Sequence, residues 1–173
     1  MNIKTKQFLA IFVKIFSGMI KFKKIKDVLA FAIDEEQKII DLYEDLSLRT
    51  NDHKMRMTCQ HFVRDGMKQM DYLNELYENK HLDKISLDII TQANLDGSFV
   101  PANFDSDMNT SELLTLAIGC ENKMRKLYTI LASNSLNPEI KTLFKDLSKT
   151  ERTHQKSVLN VYEEQKKNPE KFR

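Results

Sequence analysis

The sequence predicts an all-α protein: an antiparallel four-helix bundle with one long crossover between its second and third helices, plus an extra amphipathic helix at the N-terminus. Three observations carry this. The 173 residues include only 4 Gly and 3 Pro, too few backbone breakers for a chain of many turns. Apolar residues recur at helical spacing in four stretches, Asp27 to Arg49, Lys54 to Asn79, Ser111 to Ser133 and Pro138 to Lys166. Short turns, TNDH and SNSLNP, join the stretches within each pair, whereas nearly thirty residues, HLDKISLDIITQANLDGSFVPANFDSDMN, separate the pairs. A plain up-and-down bundle needs only short loops, so the long connection points to the crossover topology.

The elements follow in order. Residues 1–24 form a separate amphipathic, basic segment, and residues 25–173 form the bundle. In KTKQFLAIFVKIFSGMIKFKKIK the ends are basic and Lys14 interrupts the apolar middle, which is too short to span a membrane. At helical pitch Phe8, Ile11, Phe12, Ile15, Phe16 and Met19 share a face, with Lys14, Ser17 and Lys21 opposite. A signal peptide, a helix on a membrane surface and a helix packed on the body or a partner subunit all fit. No small-x-small cleavage site follows, which favours the packed helix. Ser111 reads as a helix N-cap, and Pro138 suits a first helical turn.

The net charge of +2 comes from intermixed signs, which gives no sign of a nucleic-acid partner. Cys59 and Cys120 stand alone, and no Cys-x-x-Cys pair exists, so a zinc ribbon or rubredoxin-type iron site is excluded. Lone cysteines suit a reducing compartment, and the expected location is the cytoplasm.

A shift of 85 residues superimposes one half of the chain on the other. Leu29, Ala32, Ile33, Glu36, Lys38, Leu42, Tyr43, Leu46, Tyr77 and Glu78 fall on Leu114, Ala117, Ile118, Glu121, Lys123, Leu127, Tyr128, Leu131, Tyr162 and Glu163, ten identities in fifty positions without a gap. Random pairing gives about three. The repeat spans about 27–79 and 111–166.

Glu36 lies in register with Ala32, Ile33, Ile40 and Tyr43, and Glu121 with Ala117, Ile118 and Tyr128. A carboxylate among such core-facing neighbours must be paired, protonated or metal-bound. Glu151 and His154, at i and i+3, project from one face of the fourth helix. Helical bundles hold two metals with one Glu from each of two helices and a Glu-x-x-His from each of the other two. Tyr43 and Tyr128, two turns beyond the acids, are placed to hydrogen-bond around such a site. The same shift sets Gly66 against Glu151 and Gln69 against His154, so the second helix lacks its pair.

These segments resemble a known family. AIDEEQKIIDLYEDL and AIGCENKMRKLYTIL look like the first and third helices of rubrerythrin-type ferritin-like proteins, and LFKDLSKTERTHQKSVLNVYEE like the fourth. The resemblance covers about residues 27–166. It implies a ferritin-like antiparallel bundle, often dimeric, holding two irons that react with peroxide or oxygen; many members also carry a rubredoxin-like tail, which is missing here. The chain departs from the pattern at Gly66 and Gln69, and again at Met124 and Arg125, where rubrerythrins add a further acid. Asp65 is rotated about 100° from position 66 on a helix, a poor substitute ligand.

Four metal ligands therefore remain: Glu36, Glu121, Glu151 and His154. The expected cofactor is iron, or manganese or zinc, at no more than one per chain. The contrary expectation is a relic, in which the buried acids and the His bond each other, Arg125, Arg152 or water, and no metal binds. Tyr43 and Tyr128 are expected mainly as core. His61 is expected at the surface, and His53 and His81 at helix ends. Met55, Met57, Met67 and Met70 read as core filler, with Met67 and Met70 occupying space left by a second metal. Two functions follow. One is a metal-binding redox protein of ferroxidase or peroxidase type, served by an external electron donor. The other is a non-enzymatic bundle with a vestigial site, working in assembly, or in partner or membrane-surface binding through residues 1–24. A homodimer is expected in either case.

Overall fold

The computed structural model describes residues 22, 24–78, 99–101, 107–168 and 170. The expected N-terminal helix falls almost wholly outside the described residues, as does His81. Four helices make up the described part: α1 (Ile25–Arg49), α2 (His53–Glu78), α3 (Thr110–Asn134) and α4 (Pro138–Lys167).

Local chemistry sets their ends. The Asp27 carboxylate accepts the Lys24 N–H at 3.0 Å, so α1 begins two residues before its apolar pattern. Asp52 Oδ1 accepts from Met55 N at 2.7 Å and opens α2. The cap of α3 is Asn109 rather than Ser111: its side chain accepts from Ser111 N and Glu112 N, and Glu112 reaches back to Asn109 N. Apolar periodicity could not separate the two capping residues, because both precede the first core position. Asn137 caps α4, with Pro138 in the first turn as expected.

The turns make α1 and α2 neighbours, and α3 and α4 neighbours; α1 also packs on α3, and α2 on α4. Two hydrogen bonds give the direction across the bundle. Tyr43 meets Glu121, whereas Tyr128 meets Glu36. One residue number rises as the other falls, so α1 and α3 are antiparallel. It follows that α2 and α3 run parallel, and the connection between them must travel the length of a helix, about 39 Å for 26 residues at 1.5 Å each. That is the physical reason for the long crossover.

The core runs along the bundle through Leu29, Leu42, Tyr43, Leu46, Leu73, Leu114, Leu127, Tyr128, Leu131 and Phe144, all essentially buried. Within the crossover, Phe99 and Val100 are buried against α1 and α3. Glu35, itself buried, accepts both of their backbone N–H groups at 2.7 and 3.1 Å, and Cys120 Sγ donates to Phe99 O at 3.2 Å. Glu35 and Cys120 are equivalent under the 85-residue shift, so matching positions of the two halves hold one strap between them. Glu35→Ala removes the shared acceptor and is expected to cost about 1–3 kcal/mol. Urea unfolding would measure this, with Glu35→Gln losing less. No described helix is long and apolar enough to cross a membrane.

Candidate metal centre

Among the described residues eight polar side chains are buried, and five of them, Glu36, Gln69, Glu121, Glu151 and His154, share the middle of the bundle. The apolar stripes put them there. Ile39, Ile40 and Tyr43 bracket Glu36 on α1, Ala117 and Met124 bracket Glu121 on α3, and Leu147 and Val158 lie one turn either side of the Glu151–His154 pair on α4. Burying each stripe carries the polar residues inward with it.

Glu121, Glu151 and His154 converge. Each offers one ligand atom, and the three atoms lie within 4.8 Å of one another. His154 Nδ1 is 3.7 Å from Glu121 Oε2 and 3.9 Å from Glu151 Oε2. Its other nitrogen, Nε2, lies 3.4 Å from Asp65 Oδ2 on α2. The Phe62 ring packs on the imidazole at 4.5 Å between centroids. The ring is thus held between an aromatic face and a carboxylate, with Nδ1 turned to the two glutamates. A carboxylate behind a ligating His fixes its tautomer and raises its basicity.

Glu36 stands beside this trio and interacts with Glu121 and Glu151. It accepts a 2.5 Å hydrogen bond from Tyr128 Oη, and Glu121 accepts one of 2.5 Å from Tyr43 Oη. The tyrosines serve the acid on the opposite helix. Seven residues along one helix is about 10 Å, too far for a contact with the same helix's acid, and the antiparallel partner brings the other acid within reach. Both phenols are fully buried as well, and burial holds their pKa values well above the usual tyrosine value.

The space beside Gly66 is taken. At Gly66 an added Cβ would lie 2.8 Å from Ile40 Cγ1 and 3.3 Å from Cδ1. The Ile40 side chain occupies the space that a carboxylate stem at position 66 would need. Met67 and Met70 do not supply this filling: Met67 is 47% exposed and Met70 half-buried. Met57 is likewise exposed, whereas Met55 and Met124 are core. Gln69 is buried, and its side chain acts on Glu151 in the sense that favours the carboxylate. His53 and His61 are exposed, His53 at the start of α2.

The acids lack cationic partners. Arg125 bonds Asn122 at 3.0 Å and Arg152 is exposed; no ion pair among the described residues joins Lys or Arg to Glu36, Glu121 or Glu151. Burial, with the neighbouring Glu121 adding to it and the Tyr128 hydrogen bond opposing it, pushes Glu36 up to about 8. Burial, then Glu36 and Glu121, hold Glu151 well above the usual carboxyl range. Glu121 Oε2, Glu151 Oε1 and Gln69 Oε1 are buried without a hydrogen-bond partner. Buried, unpaired carboxylate oxygens beside an oriented imidazole fit a divalent cation: ligand atoms at about 2.0–2.2 Å from a zinc-sized metal are themselves about 3–4.3 Å apart.

Proton linkage gives a test. Glu36 takes up a proton more readily in the folded metal-free chain than in the unfolded chain, where its pKa is near 4.5. Its contribution to stability is therefore complete below about 4.5 and is lost as pH rises through about 8. Glu151 acts in the same direction. The melting temperature of metal-free protein is expected to fall between pH 5 and pH 8 as measured by calorimetry, and Glu36→Gln to flatten that slope. Metal affinity should run the opposite way and strengthen with pH, because a ligating carboxylate must first lose its proton.

Fold and site together define a ferritin-like four-helix bundle with a buried carboxylate–histidine cluster at its centre. The rubrerythrin family model matches residues 112–173, which carry Glu121, Glu151 and His154. A crystal structure described as a ferritin-like diiron-carboxylate protein, from Thermotoga maritima, superimposes with a TM-score of 0.65 at 19% identity, covering 85% of this chain and 97% of that one. No curated protein matches the chain. The family match agrees with the rubrerythrin-type resemblance read from the sequence over residues 112–173, and the structural match with the ferritin-like fold.

Proposed function

We propose that this chain holds a single redox-active transition metal, iron before manganese, on Glu121, Glu151 and His154. The carrying observation is that Glu121 and Glu151 each bury an orphaned oxygen, Oε2 and Oε1, while both carboxylates reach to within 3.7 and 3.9 Å of the Nδ1 of an imidazole fixed from behind by Asp65. Iron bound there would supply one-electron exchange with peroxide or oxygen. The chain's own residues do the rest. Tyr43 orients Glu121, and Phe62 and Asp65 orient His154. Glu36, bonded to Tyr128, keeps a further carboxyl beside these ligands, protonated at neutral pH in the metal-free chain. The surrounding core excludes bulk water. Turnover would draw on an external electron donor.

The limit of one metal rests on α2. Gly66 offers no ligand, Gln69 is a neutral and weak one, and Ile40 fills the gap. Titrating metal-free protein with Co(II) and following the visible ligand-field bands tests this reading. Absorbance is expected to saturate at one equivalent per chain and to be lost in His154→Ala. Saturation at two equivalents, or bands that survive His154→Ala, would count against it.

A further inference from the structure

The surroundings of the centre are unequal. On the α1–α3 side the strap of Phe99 and Val100 covers it, 3% and 0% exposed, with Phe99 also packed edge-on against Phe31 at 5.1 Å. Glu35 and Cys120, each one residue before a central glutamate, hold that strap down. The α2–α4 side differs. Asp65, which backs His154, has a side chain 21% exposed, and it contacts His61, whose side chain is 60% exposed. Asp65 Oδ2 lies 3.3 Å from His61 Nε2 and 3.4 Å from His154 Nε2, and Asp65 Oδ1 lies 3.2 Å from Lys68 Nζ. One turn further along α2, Gln69 is 4% exposed, its side chain acts on Glu151, and its Oε1 has no partner. On this side nitrogen and oxygen donors thus grade from exposed to buried: the His61 imidazole, the Asp65 carboxylate in contact with it, and the buried Gln69 and Glu151 side chains.

We propose that a divalent transition metal reaches the centre through the α2–α4 seam, captured first by His61 and Asp65 and handed inward past Gln69 to Glu151. This rests on the single-metal reading above. His and Asp at i and i+4 present two donors on one helix face. Two protein donors bind a metal weakly, which suits a relay point rather than a store. Lys68 occupies Asp65 in the metal-free chain. Its exposed ion pair is worth little and yields to a dication, so it slows entry without blocking it. On the α1–α3 side the two polar side chains at the strap, Glu35 and Cys120, are buried and engaged with it, and Phe99 and Val100 offer nothing to replace the metal's hydration shell.

The experiment is stopped-flow Co(II) uptake by the full chain at fixed pH, with equilibrium titration and chelator-driven release on the same samples. His61→Ala is expected to slow uptake and release several-fold by the same factor, leaving equilibrium affinity unchanged, because His61 lies on the path and not in the final ligand set. Lys68→Gln is expected to speed uptake. Lys126→Gln, an exposed residue of α3, is expected to match wild type. If wild type takes up Co(II) but His61→Ala and Lys68→Gln leave both rates unchanged, the entry path is wrong while the centre stands. If His61→Ala weakens equilibrium affinity by as much as it slows uptake, His61 is a final ligand and the relay is overturned. If wild type takes up no Co(II), the centre itself fails and the path with it.

Discussion

A chain carrying Ile40→Ala, Gly66→Glu and Gln69→His together is expected to bind two metals, against the one proposed for wild type. The reasoning starts from the shared frame of the two halves. No net insertion separates Tyr43 from Tyr77 relative to Tyr128 and Tyr162, and the structure places Gly66 and Gln69 in the buried face of α2. A carboxylate at 66 and an imidazole at 69 would complete six inward ligands with Glu36, Glu121, Glu151 and His154. Gly66→Glu alone is expected to fail, because its Cβ would meet Ile40 Cγ1 at 2.8 Å. Ile40→Ala makes the room. Truncating a buried Ile costs about 2–5 kcal/mol, partly recovered as the new side chain fills the space. Replacing a helix-interior glycine returns roughly 0.5–1 kcal/mol. The metal-free triple variant should thus be less stable than wild type, and added Fe(II) under anaerobic conditions should restore it by binding only the folded state. Two irons per chain in that titration are expected. A folded triple variant that still takes one iron would show that positions 66 and 69 do not face the half-site.

Removing ligands of the intact half should have the next largest effect. Glu151→Ala and His154→Ala are each expected to lower metal affinity by about tenfold or more, since even outer-shell losses reach about 10–100-fold. The two differ in metal-free protein. Glu151 is a buried acid with an unpartnered oxygen, so its loss should cost little stability. His154 packs on Phe62 and bonds Asp65, so its loss is expected to cost about 1–3 kcal/mol. Inductively coupled plasma mass spectrometry and urea unfolding on the same preparations separate the effects. A relic kept for packing alone would show the stability loss with no change in metal content.

The architecture was legible because it depends on signals that survive in one dimension. Helical periodicity, scarce Gly and Pro and the internal repeat require no knowledge of partners, and the long gap between repeats implied the crossover. The four inward polar residues, Glu36, Glu121, Glu151 and His154, could be named for the same reason: each sits in register with apolar neighbours. Contacts between helices were harder to read. Tyr43 and Tyr128 were placed along the acids' own helices, whereas the antiparallel pairing of α1 and α3 crosses them to the opposite acid. Asp65 was weighed as a replacement ligand, yet the rotation that turns it from position 66 points it at His154 on α4. Ile40 was read only as core. A glycine inside a helix is itself a sign of close approach, and Gly66 asked which neighbour came close; the answer lay on α1, where no periodicity within α2 could show it. Glu35 gave no signal within DEEQK, because apart from Lys38 on its own helix its partners are backbone amides more than sixty residues away.

The most direct measurement is anomalous diffraction at the cobalt edge from crystals of the wild-type chain loaded with Co(II). One peak per chain, ligated by Glu121, Glu151 and His154 through Nδ1, is the expected result. A second peak between Glu36 and Gln69, or no peak against His154, would contradict a single-metal centre built on α3 and α4.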